Sequence, residues 1–318
     1  MSLPFESIDP VAAGFDPEGI ASLIEFACDS GSAQLAILMD GRLLVDEVFS
    51  SSPVDVYAVQ KGLVSLLIGI AEERQLIKLD DSVGDYLPEG WSELSASDEA
   101  GLMIRHLLTM TTGMDDRLGS LGQIGENWRY NNTAYNYLKR ILSDQTNLSL
   151  VELTAQWICN PLGMLQTQWV DRDATLPDGR PLTGLMSTAH DLTRLGVMVL
   201  NRGLWNNQRI VPENYLDLMV MSGSEANPAW GLLWWNNSSD HFLVPMAEDK
   251  HHVGNIIPTA PSDLIAARGA NQNHLGVLPS MKLVVARTAL STAGAKPFER
   301  EFYARLLAAF NNVRYYKK

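Results

Sequence analysis

AQLAILMDGRLLVDEVF (residues 33–49), followed after a short gap by AVQKGLVSLLIGIAEER (58–74), decides the fold. The first stretch is two β-rich runs joined by Asp40-Gly41, a dipeptide that tolerates the positive φ of a tight turn, and it predicts an antiparallel hairpin. In the second stretch Leu63, Leu66, Leu67, Ile70 and Ala71 recur at helical spacing. Gly62 and Gly69 leave room there for another element to pack closely. Together they predict a hairpin beside a buried helix.

From about 80 to 220 the pattern is mainly helical, over 103–110, 133–143, 149–158, 188–201 and 212–220, broken by turn clusters such as Pro177-Asp178-Gly179. Beyond 228 short β-rich runs return, at 230–235, 242–245, 264–268, 274–278 and 282–287, before an amphipathic helix over 298–310. No repeat or linker divides the chain, so the sheet needs both of its ends. The expected class is α/β: an antiparallel sheet sandwiched by helices, built from 1–78 and 222–318, with 79–221 inserted as a mainly helical lobe. The cleft between such lobes is where a site is expected.

With 318 residues, 46% of them apolar and 19% charged, the chain can bury a large core. Its 37 acidic against 24 basic residues give a net charge of −13, which repels phosphate backbones and anionic lipid and argues against nucleic-acid and membrane partners. No apolar run reaches the roughly 18 residues that span a bilayer, and MSLPFESIDP lacks a basic, then apolar, leader pattern, so a cytoplasmic location is expected. Cys28 and Cys159 have no CxxC or His-rich context, and buried free thiols are expected. No metal-ligand spacing or phosphate-binding glycine loop is present.

Ala58-Val59-Gln60-Lys61 has the spacing of Ser-x-x-Lys with its first residue changed. Residues three apart share a helix face, so the Lys61 amine reaches the side chain at the helix start and, once burial lowers its pKa, can take a proton there. The positive end of the helix dipole lies at the same place. A lysine at a helix start is usually a solvated charge, but the apolar residues that follow Lys61 place it in the interior or on a cleft wall. Tyr130-Asn131-Asn132 matches Tyr-x-Asn: a phenol near a lysine can pass a proton to a leaving group, and an amide can bond both lysine and substrate. The same three residues also read as a turn with an N-cap.

These pieces, with HLLTMTTGM (106–114), NPLGM (160–164), LMSTAHDL (185–192) and 278–285, occur in an order and at intervals that resemble the class C β-lactamase-like esterase, amidase and D-peptidase family of the serine β-lactamase and penicillin-binding-protein superfamily. The likeness covers almost the whole chain. It implies that Ala58 stands where the nucleophilic serine belongs and that Lys61, Tyr130 and Asn132 complete the catalytic set. The family's third element, Lys-Thr-Gly or His-x-Gly, is matched worst. Its best candidate is Arg268-Gly269-Ala270, where Arg268 keeps the charge for a substrate carboxylate and Gly269 permits close backbone approach; the alternative is a surface hairpin. By the same resemblance the N–H of residue 58 and that of Ala270 or Asn271 form an oxyanion hole. Trp230, Trp234 and Trp235 read either as core or as an apolar acyl-binding wall, with Trp234 the assigned substrate contact. His106 and His190 read as structural, His251-His252 as an exposed loop pair or, alternatively, as lining of the cleft entrance, and Thr109, Thr111 and Thr112 carry no chemistry.

The implied reaction is acyl transfer on a small-molecule ester, amide or peptide-like substrate, with no cofactor. A methyl group cannot attack a carbonyl, and Ser65, nearly two turns further along the helix, is expected to be buried away from the cleft. The chain is therefore expected to bind without turnover, either as a Ser→Ala variant of a hydrolase or as a natural pseudoenzyme that holds an acyl or peptide-like ligand. Retention of Lys61, Tyr130 and Asn132 favours the first, since a scaffold freed from catalysis has no physical need of a buried lysine. The departure at the third motif favours an esterase or amidase over an efficient β-lactamase.

Overall fold

The computed structural model describes residues 5–290 and 298–310. The strands Ser32–Met39 and Arg42–Val48 pair antiparallel, and Asp40 and Gly41 between them adopt φ of +49° and +74°, the conformation that this dipeptide allows. Side chains of Ser32–Met39 alternate: Leu35, Ile37 and Met39 join one core, Ala36 and Leu38 the other. With helices on both faces, the whole strand is buried.

Leu283–Ala289 lies beside Ser32–Met39, followed by His274–Leu278, Ile265–Arg268 and Trp235–Asn236, which completes a six-stranded antiparallel sheet drawn from both ends of the chain. One face is covered by the helices Pro17–Asp29 and Phe298–Ala309, through Leu23, Phe302 and Leu306. The other carries Gln60–Glu73 and Ala189–Leu200, through Leu63, Leu66 and Leu195. Each such side chain, fully buried, contributes roughly 1.5–3 kcal/mol relative to exposure.

The helix Gln60–Glu73 is buried from Gln60 through Ala71. A Cβ on Gly62 would lie 2.9 Å from Ala267 Cβ and 3.0 Å from the Trp234 ring, and one on Gly69 2.4 Å from the Tyr215 ring. The close packing expected of these glycines thus brings the strand Ile265–Arg268 against the helix start. Ser65 is fully buried and hydrogen-bonds to Tyr215 Oη at 3.0 Å, away from the cavity described below.

Several expectations need correction. The mainly helical stretch 79–221 also holds the hairpin Gln168–Thr175 and Pro181–Ser187, closed by the Pro177-Asp178-Gly179 turn and joined by Val54–Asp55 from outside that stretch into a three-stranded sheet. Gln168–Thr175 buries only Trp169, so it lacks the apolar alternation that marks a strand. The helix Ala189–Leu200, inside the 79–221 division, packs on the central sheet rather than within the lobe. Helix 149–158 is a short α-helix, Leu150–Thr154, running into a π-turn at Ala155–Cys159. Of 230–235 only Trp235 is in a strand, because the chain doubles back with Leu233 at φ +63° and Trp230 bridged to Trp235. Cys159 is buried but Cys28 is exposed, one position past Ala27 on the inner face of its helix. His251 and His252 lie on the strand Ala247–Val253 of a two-stranded arm rather than in a loop. Among the described residues no helix is long and apolar enough to cross a membrane.

Candidate active site

Ala58 is the second residue of a 3-10 turn, Tyr57–Val59, that feeds straight into the helix Gln60–Glu73. Tyr57 turns the chain with φ +50°, a left-handed conformation held by its N–H donating to Asp55 Oδ1 at 2.8 Å. A cavity of about 470 Å³ opens beside Ala58, and Lys61, Tyr130, Asn132, Arg268, Gly269 and Ala270 all line it.

Lys61 is 3% exposed, and its Nζ donates to Asn132 Oδ1 at 2.7 Å. No carboxylate faces it among the described residues. Instead Nζ sits 4.7 Å from the Tyr130 ring centroid and 4.3 Å from that of Tyr135. Desolvation, with a smaller repulsion from Arg172, lowers the amine from the usual 10.5 to about 7. A substantial neutral fraction therefore exists near neutrality, with a lone pair to accept a proton.

The Tyr130-Asn131-Asn132 triple serves both of its readings through different residues. Asn131, fully buried, is the N-cap of Asn132–Thr146: its Oδ1 accepts from the Ala134 N–H at 2.8 Å while its Nδ2 donates to the carbonyls of Met114 and Asp115. Asn132, at the first helical position, is thereby turned to the cavity and to Lys61. Tyr130 packs on Trp128 and Trp230, with centroids 6.1 and 5.8 Å away, and burial raises its phenol well above the usual range.

Across from these, a Cβ on Gly269 would lie 2.3 Å from the Val56 carbonyl and 3.2 Å from the Ala58 nitrogen, so only glycine lets the two backbones approach here. Ala58 is the second residue of one 3-10 turn and Ala270 the first of another, positions whose N–H groups have no acceptor within the turn.

Arg268 is committed to Glu299: Nε donates to both carboxylate oxygens at 2.8 and 3.0 Å, and Nη2 donates to the same group. Its charge is thus already matched, which corrects the expectation of a cation free for substrate. Asn271 and Trp234 do not line the cavity. Asn271 is turned away at φ +57°, its Nδ2 donating to the Leu290 carbonyl at 3.4 Å, and Gln272 lines the wall instead. Trp234 is fully buried, its Nε1 donating to the Gly62 carbonyl at 3.1 Å; the lining tryptophan is Trp235, and Trp230 is core.

Lining residues that no sequence pattern singled out include Tyr57, Tyr135, Arg172, Thr183 and Glu299. Behind them lies Lys139, whose Nζ donates to Gln60 Oε1 at 2.7 Å and Thr183 Oγ1 at 2.9 Å and whose pKa is pushed far down by burial and by repulsion from Lys61. The sequence does carry a signal for Lys139: it follows Tyr135 by one helical turn, on the buried face. His106 is part of its own helix's N-terminus, with Nδ1 accepting the Met103 N–H at 3.0 Å, and His190 pairs with Asp46.

Residues 24–310 match the sequence profile of the beta-lactamase family, and the chain belongs to that family. Solved structures repeat the fold. A beta-lactamase-like protein of Bacteroides dorei superposes with a TM-score of 0.74 at 17% identity, over 94% of this chain and 100% of the other. A 6-aminohexanoate-dimer hydrolase-like protein of Bacillus anthracis gives 0.71 at 18% identity, over 96% and 86%. EstCE1, a hydrolase with promiscuous acyltransferase activity, gives 0.68 at 15% identity, over 93% and 98%. A search of curated protein sequences finds no match.

Proposed function

We propose that this chain is a serine acyl hydrolase scaffold of the esterase, amidase or peptidase type whose nucleophile position holds alanine. The observation that carries the reading is Lys61: a buried amine beside residue 58, bonded to a neutral amide, without a carboxylate, and lowered to about 7. A buried ammonium is costly unless its charge is compensated, and a titratable amine next to a helix start is what a general base requires. With serine at position 58, its hydroxyl would attack the substrate carbonyl and pass its proton to Lys61. Tyr130 would relay a proton to the leaving group, and Asn132 would orient both amine and substrate. The Ala58 and Ala270 N–H groups would hold the oxyanion, and water would then release the acyl group. As it stands the chain should bind acyl compounds and not turn them over.

The test is Ala58→Ser. Short-chain p-nitrophenyl esters, D-amino-acid amides and cyclic amides should then be hydrolysed up to about 10⁶-fold faster than by the parent. If none of them gains rate, the hydrolase reading falls. If ligands still bind in that case, the chain is a non-catalytic binder of acyl or peptide-like molecules.

A further inference from the structure

Two guanidinium groups line the cavity, and they are held differently. Arg268 gives its Nε–Nη2 edge to Glu299. Arg172, on the strand Gln168–Thr175, is built in differently. Its Nη2 donates to Asp55 Oδ2 at 2.6 Å, and its guanidinium carbon sits 5.3 Å from the Tyr57 ring centroid. It lies against the backbone of Gly184, where a Cβ would come within 2.7 Å of Nε. Asp55, Tyr57 and Gly184 thus fix the group before any ligand arrives. Nε is sealed off without an acceptor, yet the side chain keeps 35% of its surface, and Nη1 has no acceptor among the described residues.

Asp55 engages only the Nη2 corner of the guanidinium through Oδ2, while its Oδ1 accepts the Tyr57 N–H at 2.8 Å, so it leaves the Nη1 donors to another acceptor. Arg172 repels the Lys61 amine, and at Lys139 its repulsion exceeds the attraction of Asp55. Glu299, the one acidic residue on the lining among the described residues, belongs to Arg268. A protein of net charge −13 therefore places three basic side chains, Lys61, Arg172 and Arg268, on one wall of its cavity. Leu182 and Thr183 flank that wall with an apolar surface and a hydroxyl.

We propose that Arg172 is a specificity residue that holds a carboxylate carried by the substrate, so that the site selects short acyl compounds bearing a second, free carboxylate. The proposal takes its substrate class from the acyl-hydrolase reading. The Nη1 donors offer a charge-assisted bond to one carboxylate, with Leu182 beside the linking methylenes and Thr183 available to hydrogen-bond.

The experiment compares monoethyl glutarate with diethyl glutarate, by calorimetry on the chain carrying Ala58. The monoester should bind about tenfold tighter or more. Arg172→Gln should abolish that preference, and added salt should weaken it. Equal affinity of the parent for the two esters overturns the proposal, as does a preference that survives Arg172→Gln. Where Arg172→Gln does not fold, Arg172→Lys replaces the fork by a compact ammonium. The preference should then fall about threefold or more, and an unchanged preference overturns the proposal. Turnover of the same esters by Ala58→Ser separates the two readings. No turnover with the preference intact removes the hydrolase and leaves the carboxylate site. Turnover of both esters at equal kcat/KM, with equal binding, removes the carboxylate site and leaves the hydrolase.

Discussion

Lys61 and Arg268 line one cavity from neighbouring elements of the sandwich, a helix start and a strand of the sheet, and their partners differ. Lys61 meets a neutral amide oxygen and two aromatic faces. Arg268 meets a buried carboxylate, with the Trp235 ring centroid 5.6 Å from its guanidinium carbon. Glu299 also receives His274 Nδ1 at 3.1 Å, and His274 Nε2 hydrogen-bonds to Tyr303 Oη at 2.7 Å. Burial alone would raise the Glu299 carboxyl, but the Arg268 charge and the hydrogen bonds from His274 and Arg268 outweigh it and hold the carboxyl well below the usual range. A buried cation given an anion becomes a fastener, here tying the terminal helix to the sheet. One given only neutral partners becomes titratable near neutrality.

Removing the anion from the fastened side should have the largest effect. Glu299→Gln leaves Arg268 charged and uncompensated and should lower unfolding stability by about 3–5 kcal/mol, measured by urea denaturation. The sign with pH comes from the depressed carboxyl: its contribution is present above the ordinary carboxylate pKa and lost as pH falls. The parent should therefore lose stability in acid more steeply than the variant. A loss below about 1 kcal/mol would mean that Arg268 finds water instead, and the contrast with Lys61 would collapse.

The contrast was half legible in the sequence. The hairpin, the buried helix and most of the terminal strands follow from apolar periods of two and 3.6, which are local. Lys61 is legible because an apolar helix begins at once behind it. The pairing of Arg268 with Glu299 and of Arg172 with Asp55 is not, since the partners stand 31 and 117 residues apart and no periodicity links them. The Trp234–Trp235 exchange has another cause: facing depends on a one-residue register, and the left-handed turn at Leu233 resets it. Asn271 fails for the same reason, because the strand ends at Arg268 and a 3-10 turn re-aims the residues after Gly269.

Giving Lys61 an anion should convert it toward the Arg268 case. Asn132→Asp places a carboxylate where the amide oxygen now stands, 2.7 Å from Nζ. The Lys61 titration, followed by NMR of ¹³C-labelled lysine, should move up from about 7 by about 1–3 units. Combined with Ala58→Ser, the same change should cut hydrolysis at pH 7 about 10- to 100-fold and restore it at higher pH. An amine that titrates unchanged would show that the introduced carboxyl is itself protonated or swings out to solvent.

The smallest effect comes from deleting the uncompensated cation, and it runs in the opposite direction from Glu299→Gln. Holding a lysine at about 7 against its ordinary 10.5 costs of order 4 kcal/mol at pH 7, which Lys61→Met recovers in part. Asn132 loses its donor, but it is exposed to the cavity and water replaces the bond. A net gain of about 1–2 kcal/mol in urea unfolding is expected near neutrality. Because the folded-state pKa is depressed, the unfolded chain binds the extra proton between about 7 and 10.5, and parent stability rises with pH across that window. The advantage of Lys61→Met should therefore be largest at or below pH 7 and shrink steadily toward pH 9.5. A gap that stays constant over that range would mean Lys61 titrates normally, and the amine would then be a second fastener rather than a base.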